Sequence, residues 1–205
     1  MTRYFVLLWT LACLTWAGLW FAVLPWPAWW LVLLSAWAAW LTADAGSYVF
    51  HVFLDHHLRA SESPMARGFQ EHHADGARIT REPLPAVLAP VVPLVLPVWL
   101  LAAITAAAGW LPSWLAFYAW VLGLGVGFGQ IFHRWAHLEQ PCRLVRLAQR
   151  LRLVVGRDTH AEHHAPPFGT RYAIVSGWVN PLFDALRIDV LIGRLATWAG
   201  FPRVA

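Results

Sequence analysis

An all-α protein that crosses a membrane about four times, with a histidine-rich cap on the cytoplasmic side, is the fold this sequence predicts. Three observations lead there. Hydrophobic residues make up 59% of the 205 and charged residues only 13%, about half the charged share of a typical soluble domain. The apolar residues fall in long charge-free runs rather than in short alternating stretches, which favours helices over strands. All ten histidines gather in four short clusters at or just beyond the ends of those runs. The length suits one domain, 1–205, with little room for a second.

The first run, 4–24, carries no charge and is long enough for a hydrocarbon core of ~30 Å. It lacks the short apolar core and small-residue cleavage site of a signal peptide, so it is read as a retained span. Pro25-Trp26-Pro27 makes the turn, and 28–53 forms the second span, interrupted by Asp44. A polar stretch follows, 54–83. From Leu84 to Phe132 no residue is charged, which is too long for one crossing and suits two, 84–108 and 112–132, broken at Gly109-Trp110-Leu111-Pro112. Pro85, Pro90, Pro93 and Pro97 predict an irregular or kinked start to the third span. Gly123, Gly125, Gly127 and Gly129 give the fourth span overlapping small-xxx-small patterns, which let another helix approach closely.

The net charge of +4 comes from arginine, since the chain has no lysine. Nearly all of this positive charge outside the termini lies in the segments 54–83 and 133–175, and none at the turns near Pro25 and Pro112. The positive-inside rule therefore puts both segments and both termini in the cytoplasm, which four spans satisfy. The usage, rich in Arg, Ala and Trp, fits a GC-rich bacterial genome, and so a bacterial inner membrane. A basic chain raises the question of nucleic acid. These arginines sit between apolar spans, so anionic lipid head groups are the expected partner and nucleic acid is not. Arg143, Arg146, Arg150 and Arg157 share one helical face opposite Leu144, Leu147, Leu151 and Val154, predicting a basic amphipathic helix over 143–157, either lying on the membrane surface or solvated and packed on the rest of the domain. Residues 181–198 repeat the pattern with weaker charge. Cys13 and Cys142 form no CxxC pair and read as isolated thiols.

The first histidine cluster is His51 with His56 and His57, and the second is His72 and His73. His133 and His137 form an HxxxH, and His160, His163 and His164 an HxxHH. Residues four apart on a helix share a face, so His133 and His137 can reach one metal, as can His160 and His164. His163 lies aside, placed to meet a second metal or complete the first. Neighbouring His72 and His73 point about 100° apart on a helix, which suits two adjacent ions. Imidazole alone does not name the metal. A near-all-histidine site for two metals, built from 51–81 and 133–181 at a membrane surface, suits iron and oxygen chemistry on lipid chains.

Several boxes resemble the Kua-type lipid desaturases. They are Ala43-Asp44 through His51 and Asp55, Gly68-Phe69-Gln70-Glu71-His72-His73-Ala74-Asp75, and Ile79-Thr80-Arg81. His133-Arg134-Trp135-Ala136-His137, His160-Ala161-Glu162-His163-His164-Ala165-Pro166 and Ser176-Gly177-Trp178-Val179-Asn180-Pro181 complete the set. The resemblance implies that His51, His72, His73, His133, His137, His160, His163 and His164 hold two iron ions and act in catalysis, with His56 and His57 supernumerary. It implies oxygen as oxidant, electrons from a small carrier such as cytochrome b5 or ferredoxin, and a membrane phospholipid as substrate. The implied reaction turns the sn-1 O-alkyl chain of plasmanylethanolamine into the vinyl ether of a plasmalogen. Asp55, Glu71 and Glu162 are expected either to orient ligand imidazoles through their N–H groups or to bind iron directly. Asp44, two turns before His51, is expected to support that ligand or to serve helix packing. Gly76 stands where relatives often have proline, and the Pro-rich stretch after Arg81 replaces a polar segment, which bears on head-group recognition.

Desaturation or hydroxylation of an ester-linked acyl chain is the neighbouring reading. A membrane metal-binding or transport protein is the alternative of a different class, and it predicts ligands at the bilayer midplane rather than at one surface.

Overall fold

The computed structural model describes residues 2–204. Its helices are α1 (Thr2–Ala22), α2 (Trp29–His56), α3 (Pro64–Ala74), α4 (Arg78–Arg81), α5 (Leu84–Leu88) and α6 (Val92–Ala107). They continue with α7 (Ser113–Ala136), α8 (Arg143–Arg150), α9 (Arg157–His163), α10 (Asn180–Ala185) and α11 (Ile188–Trp198). Among the described residues there is no strand, so the all-α expectation holds. The chain divides into two compact units, Met1–Ala43 with Pro83–Gln130, and Asp44–Glu82 with Ile131–Ala205. α2 and α7 each contribute to both.

The first unit is built on tryptophan packed against glycine. Trp9 stacks on Trp99 with ring centroids 4.7 Å apart, and Trp16 lies 6.0 Å from the same ring. α7 accommodates them because it lacks side chains at the contact. A Cβ at Gly123 would stand 2.1 Å from Trp99 Nε1, and one at Gly127 2.0 Å from Trp9 Cζ2. At Gly125 it would meet the Ala43 Cβ at 2.7 Å. The small-residue pattern thus admits bulky rings as well as a neighbouring helix. Trp99 also donates its Nε1–H to the Ala119 carbonyl at 3.1 Å.

The outside of this unit is apolar. Leu14, Phe21, Leu33, Val98 and Ile104 are all exposed, Phe21 by 83%. An apolar surface of this extent marks a region covered by something other than water. Ser113–Ala136 is long and apolar enough to cross a membrane, and Val6–Ala22 and Val92–Ala107 are shorter apolar helices. The prolines act where the sequence puts them. The run from Leu84 breaks into α5 and α6, and α6 keeps Pro97 in its interior. Gly109, at φ 74°, ends the turn before α7.

The second unit holds the histidines on, or one residue beyond, α2, α3, α7 and α9. Two expected helices are shorter than their patterns. The amphipathic segment 143–157 is helical only to Arg150, because Val154 and Val155 turn inward and the Val155 N–H donates to the Val175 carbonyl at 2.9 Å. The segment 181–198 splits at Arg187, whose φ of 52° is left-handed. Leu144, Leu147, Leu191 and Leu195 are exposed on α8 and α11, so the apolar stripes read from the sequence exist and face outward.

Candidate metal centre

Four local devices set the histidines in place. α2 ends where the Gln70 side-chain amide donates to the carbonyls of Leu54 and Leu58 at 2.9 and 2.8 Å. This satisfies backbone groups that a helix end leaves bare and ties α3, carrying His72 and His73, to the helix carrying His51. Ser63 caps α3 by accepting from the Ala66 N–H. Arg134, beside His133, donates to the carbonyls of Ile79 and Thr80 at 3.0 and 2.6 Å and also to that of Glu82. That guanidinium fixes the segment after α3 onto α7. Asp44 accepts N–H groups from Ser176, Gly177 and Val179 at 2.7, 3.0 and 3.1 Å.

The last of these explains the Gly-Trp-Val-Asn-Pro box. Gly177 takes φ 77°, and a Cβ there would crowd Asn180 Nδ2 at 3.2 Å. Buried Asn180 accepts from the Ala173 N–H at 2.9 Å and donates to the Ala173 carbonyl at 3.3 Å. The box is a clamp that holds 172–176 against α2. The payoff is local, because the Tyr172 carbonyl receives the Nδ1–H of His51 at 2.8 Å.

The eight histidines come together in two groups. His72, His133, His137, His160 and His164 form one, and His51, Asp55, His73 and His163 the other; within each, the potential ligand atoms all lie within 4.8 Å of one another. In the first group His160 Nε2 is 2.8 Å from His137 Nε2 and 3.1 Å from His164 Nε2, and His164 Nε2 is 3.1 Å from His72 Nε2. A neutral imidazole has one N–H and one lone pair, so it cannot donate to several ring nitrogens at once. Nitrogens bound to one cation at ~2.1 Å, the usual metal–imidazole length, fall at such mutual distances. The two groups adjoin, with His72 and His73 successive on α3, and His163 ending α9 with His164 as its C-cap.

In the second group the tautomers are fixed by the backbone. A carbonyl only accepts, so His51 carries its proton on Nδ1 toward Tyr172, and His163 carries its own toward Thr170 O at 2.8 Å. Both therefore aim an Nε2 lone pair inward, the arrangement that suits a metal ligand. Asp55, with a side chain 3% exposed, places Oδ2 at 3.4, 3.0 and 3.6 Å from Nε2 of His51, His73 and His163. The Nε2 atoms of His51 and His163 and Oδ1 of Asp55 are buried without a hydrogen-bond partner. A buried carboxylate facing inward lone pairs is costly in itself, and a cation among them removes that cost. The donor set therefore fits a metal pair. Phe69 packs edge-on to His51 at 4.9 Å and Phe168 to His73 at 4.8 Å, walling the group from water.

Burial keeps five of the rings neutral. Burial pushes His137 and His164 down to about 4, aided at His137 by Arg157 and at His164 by His137. Burial likewise takes His163 to about 3, against the opposing hydrogen bond to Thr170. His72 and His160 are lowered by burial and by neighbouring imidazoles. At neutral pH all five are free to ligate.

The remaining acids do not join the imidazoles. Glu71 pairs with Arg78 at 2.5 Å, and Glu162 with Arg171 at 2.7 Å, both on the exposed side of their helices. Asp44 is given over to the backbone clamp. His56 and His57 fasten the C-terminal segment: His56 Nε2 meets the Tyr172 hydroxyl at 2.8 Å, and His57 Nδ1–H donates to the Phe201 carbonyl at 2.9 Å. Sequence reading gave no role to Gln70, Arg134 or Tyr172. The first two stand in boxes it did quote, beside the ligands they position.

A family model described as lipid desaturase domain matches residues 40–197. Over 142 residues the chain is 31% identical to plasmanylethanolamine desaturase of Myxococcus xanthus, covering 66% of this chain and 48% of that protein. It is 33% identical over 171 residues to fatty acid desaturase 4, chloroplastic, of Arabidopsis thaliana, covering 76% of this chain and 48% of the relative. The chain spans about half the length of the curated relatives it matches. No solved structure matches.

Proposed function

Because the chain belongs to the lipid desaturase domain family, of the Kua type, and its histidines form groups that can hold metal, we propose that it is a di-iron, oxygen-dependent desaturase of a membrane phospholipid. The reaction is the conversion of the sn-1 O-alkyl chain of an ether phospholipid, plasmanylethanolamine, to a vinyl ether. The observation that carries this reading is the pair of adjoining donor groups, five imidazoles beside three imidazoles and a carboxylate. The named activity of the Myxococcus relative supports the ether substrate.

In this reading His72, His133, His137, His160 and His164 hold one iron, and His51, His73, His163 and Asp55 hold the other. The bound irons supply oxygen activation and removal of two hydrogens from the chain, with two electrons arriving from a small carrier of the cytochrome b5 or ferredoxin type. The protein's own part is to keep the imidazoles of His72, His137, His160, His163 and His164 neutral, to orient His51 and His163 through backbone carbonyls, and to exclude water with Phe69 and Phe168. Asp55 adds one negative charge to its group. The same reading takes the chain as one desaturase domain with four spans, 4–24, 28–53, 84–108 and 112–132. Its termini and site lie on the cytoplasmic side of a bacterial inner membrane, and the exposed leucines of α8 and α11 rest at the interface.

The test is expression in a plasmalogen-lacking host that makes alkyl ether lipids. Acid-labile vinyl ethers are expected, and they should vanish in His51→Ala and His163→Ala. Metal analysis should find close to two irons per chain; zinc alone would count against an oxygen-activating centre and for the metal-transport alternative. The similarity to the chloroplast fatty acid desaturase, which covers more of this chain, favours a second reading with an ester-linked acyl substrate. A new acyl double bond with intact ether lipids would select it.

A further inference from the structure

The second unit contains a cavity of about 1080 Å³ that the metal groups do not use. Its walls are the stretch from Arg187 to Trp198, the loop 165–172, and His56, His57 and Arg203. Much of this wall is apolar, including Val52, Pro166, Pro167, Val190 and Trp198. Its lining carries three acids, Glu162, Asp184 and Asp189, and three arginines, Arg187, Arg194 and Arg203, while Arg171 stands beside it. Arg171 takes Glu162 at 2.7 Å and Asp184 at 3.6 Å, and Arg187 takes Asp189 at 3.6 Å. Those are the acids of the wall. With Glu162 and Asp184 taken by Arg171 and Asp189 by Arg187, Arg194 and Arg203 are the lining arginines that form no ion pair among the described residues.

Arg203 is held where it is. Arg203 lies in the segment pinned by the Val204 N–H to the His56 carbonyl at 2.8 Å, and its Nη2 is 3.4 Å from His56 Nδ1. Arg194 follows Gly193, where a Cβ would already touch His57 Nε2 at 3.5 Å. On the same helix Leu191, Leu195 and Trp198 are exposed, Trp198 by 87%. A helix that offers apolar side chains outward and arginine to a recess is suited to the level of a bilayer where phosphates lie. The cavity also shares a wall with the metal groups. The Tyr172 ring packs against His163 at 4.9 Å, while its hydroxyl meets His56 on the cavity side.

We propose that this cavity binds the phosphate diester of a glycerophospholipid through Arg194 and Arg203. The apolar wall receives the glycerol and the first part of a chain. The inference rests on the lipid reading of the metal centre and deepens it. A vinyl ether is made only a few bonds from the head-group phosphate, so an enzyme with that product needs the phosphate close to its ligands. Arginine is the side chain whose fork matches phosphate oxygens, and a pair of such contacts is charge-assisted on both sides.

The test measures binding without turnover, using the full metal-loaded chain in detergent and native mass spectrometry. The probes are dihexanoyl-phosphatidylethanolamine, dihexanoylglycerol, which lacks the phosphate, and glycerophosphoethanolamine, which lacks the chains. Wild type should prefer the phospholipid to the diglyceride by roughly tenfold or more, the scale of one good charge-assisted contact. Arg194→Gln with Arg203→Gln should erase that preference, and Arg194→Lys with Arg203→Lys should keep most of it, at unchanged iron content. Equal phospholipid binding by the glutamine pair overturns the proposal, as does diglyceride binding as tight as phospholipid in wild type. Glycerophosphoethanolamine binding as tightly as the lipid overturns the lipid assignment in favour of a soluble phosphate ester. A chain that discriminates the phosphate but yields no vinyl ether keeps this inference while failing the reaction proposed above.

Discussion

Asp44 sits in the apolar interior of α2 and gives its carboxylate to three backbone N–H groups 132 to 135 positions away. Asp44→Ala leaves those donors bare and releases the loop whose Tyr172 carbonyl orients His51. A loss of about 3 kcal/mol is expected, within the range for a buried hydrogen-bonded charge, together with lower metal content. Asp44→Asn keeps part of the acceptor and should fall between; unfolding in detergent with metal analysis checks both. His57→Ala removes one hydrogen bond to the C-terminal segment and should cost ~1 kcal/mol with metal content unchanged. The convergence of the histidines was legible, since histidines at metal-binding spacings in otherwise apolar surroundings leave little else to do. The duty of Asp44 was not. Its position two turns before His51 suggested a partner imidazole, and nothing local announces N–H groups from the far end of the chain.

At the scale of helices, α7 is read most easily. Its glycines are spaced for close approach, and the rings of Trp9 and Trp99 fill the space they leave. Gly123→Ala would drive a methyl group into the Trp99 indole, at a cost of ~1–3 kcal/mol from overpacking, while Gly68→Ala, where a Cβ meets nothing within 4 Å, should be neutral or mildly stabilising. Comparing the two melting transitions tests the packing argument. Helix ends were harder. α8 stops before its amphipathic pattern does because Val155 bonds to Val175, a pairing between distant segments. The break at Arg187 has no glycine, proline or asparagine to signal it; the left-handed turn there answers to tertiary packing rather than to local preference.

For the whole protein the buried imidazoles make stability depend on pH. Unfolded histidine binds a proton near pH 6.5, whereas folded His137 and His164 do so only near 4 and His163 near 3. Between those values the unfolded chain holds more protons, so the metal-free protein should lose stability as pH falls from about 6.5 toward 4. Chelated protein should melt several degrees lower at pH 5 than at pH 7.5. A melting temperature flat across that interval would mean that the rings are not sequestered in the fold. The donors also arrive in an order that the ribosome imposes. His72 meets His164 across 92 positions of chain, so during synthesis the early imidazoles emerge long before the last HxxHH does. A nascent chain can hold stray ions only loosely on two or three donors. Faithful loading waits until α9 folds back, a slow event because the loop it closes is long. Truncated products ending before that helix should leave the translation machinery poor in metal, however much the cell supplies.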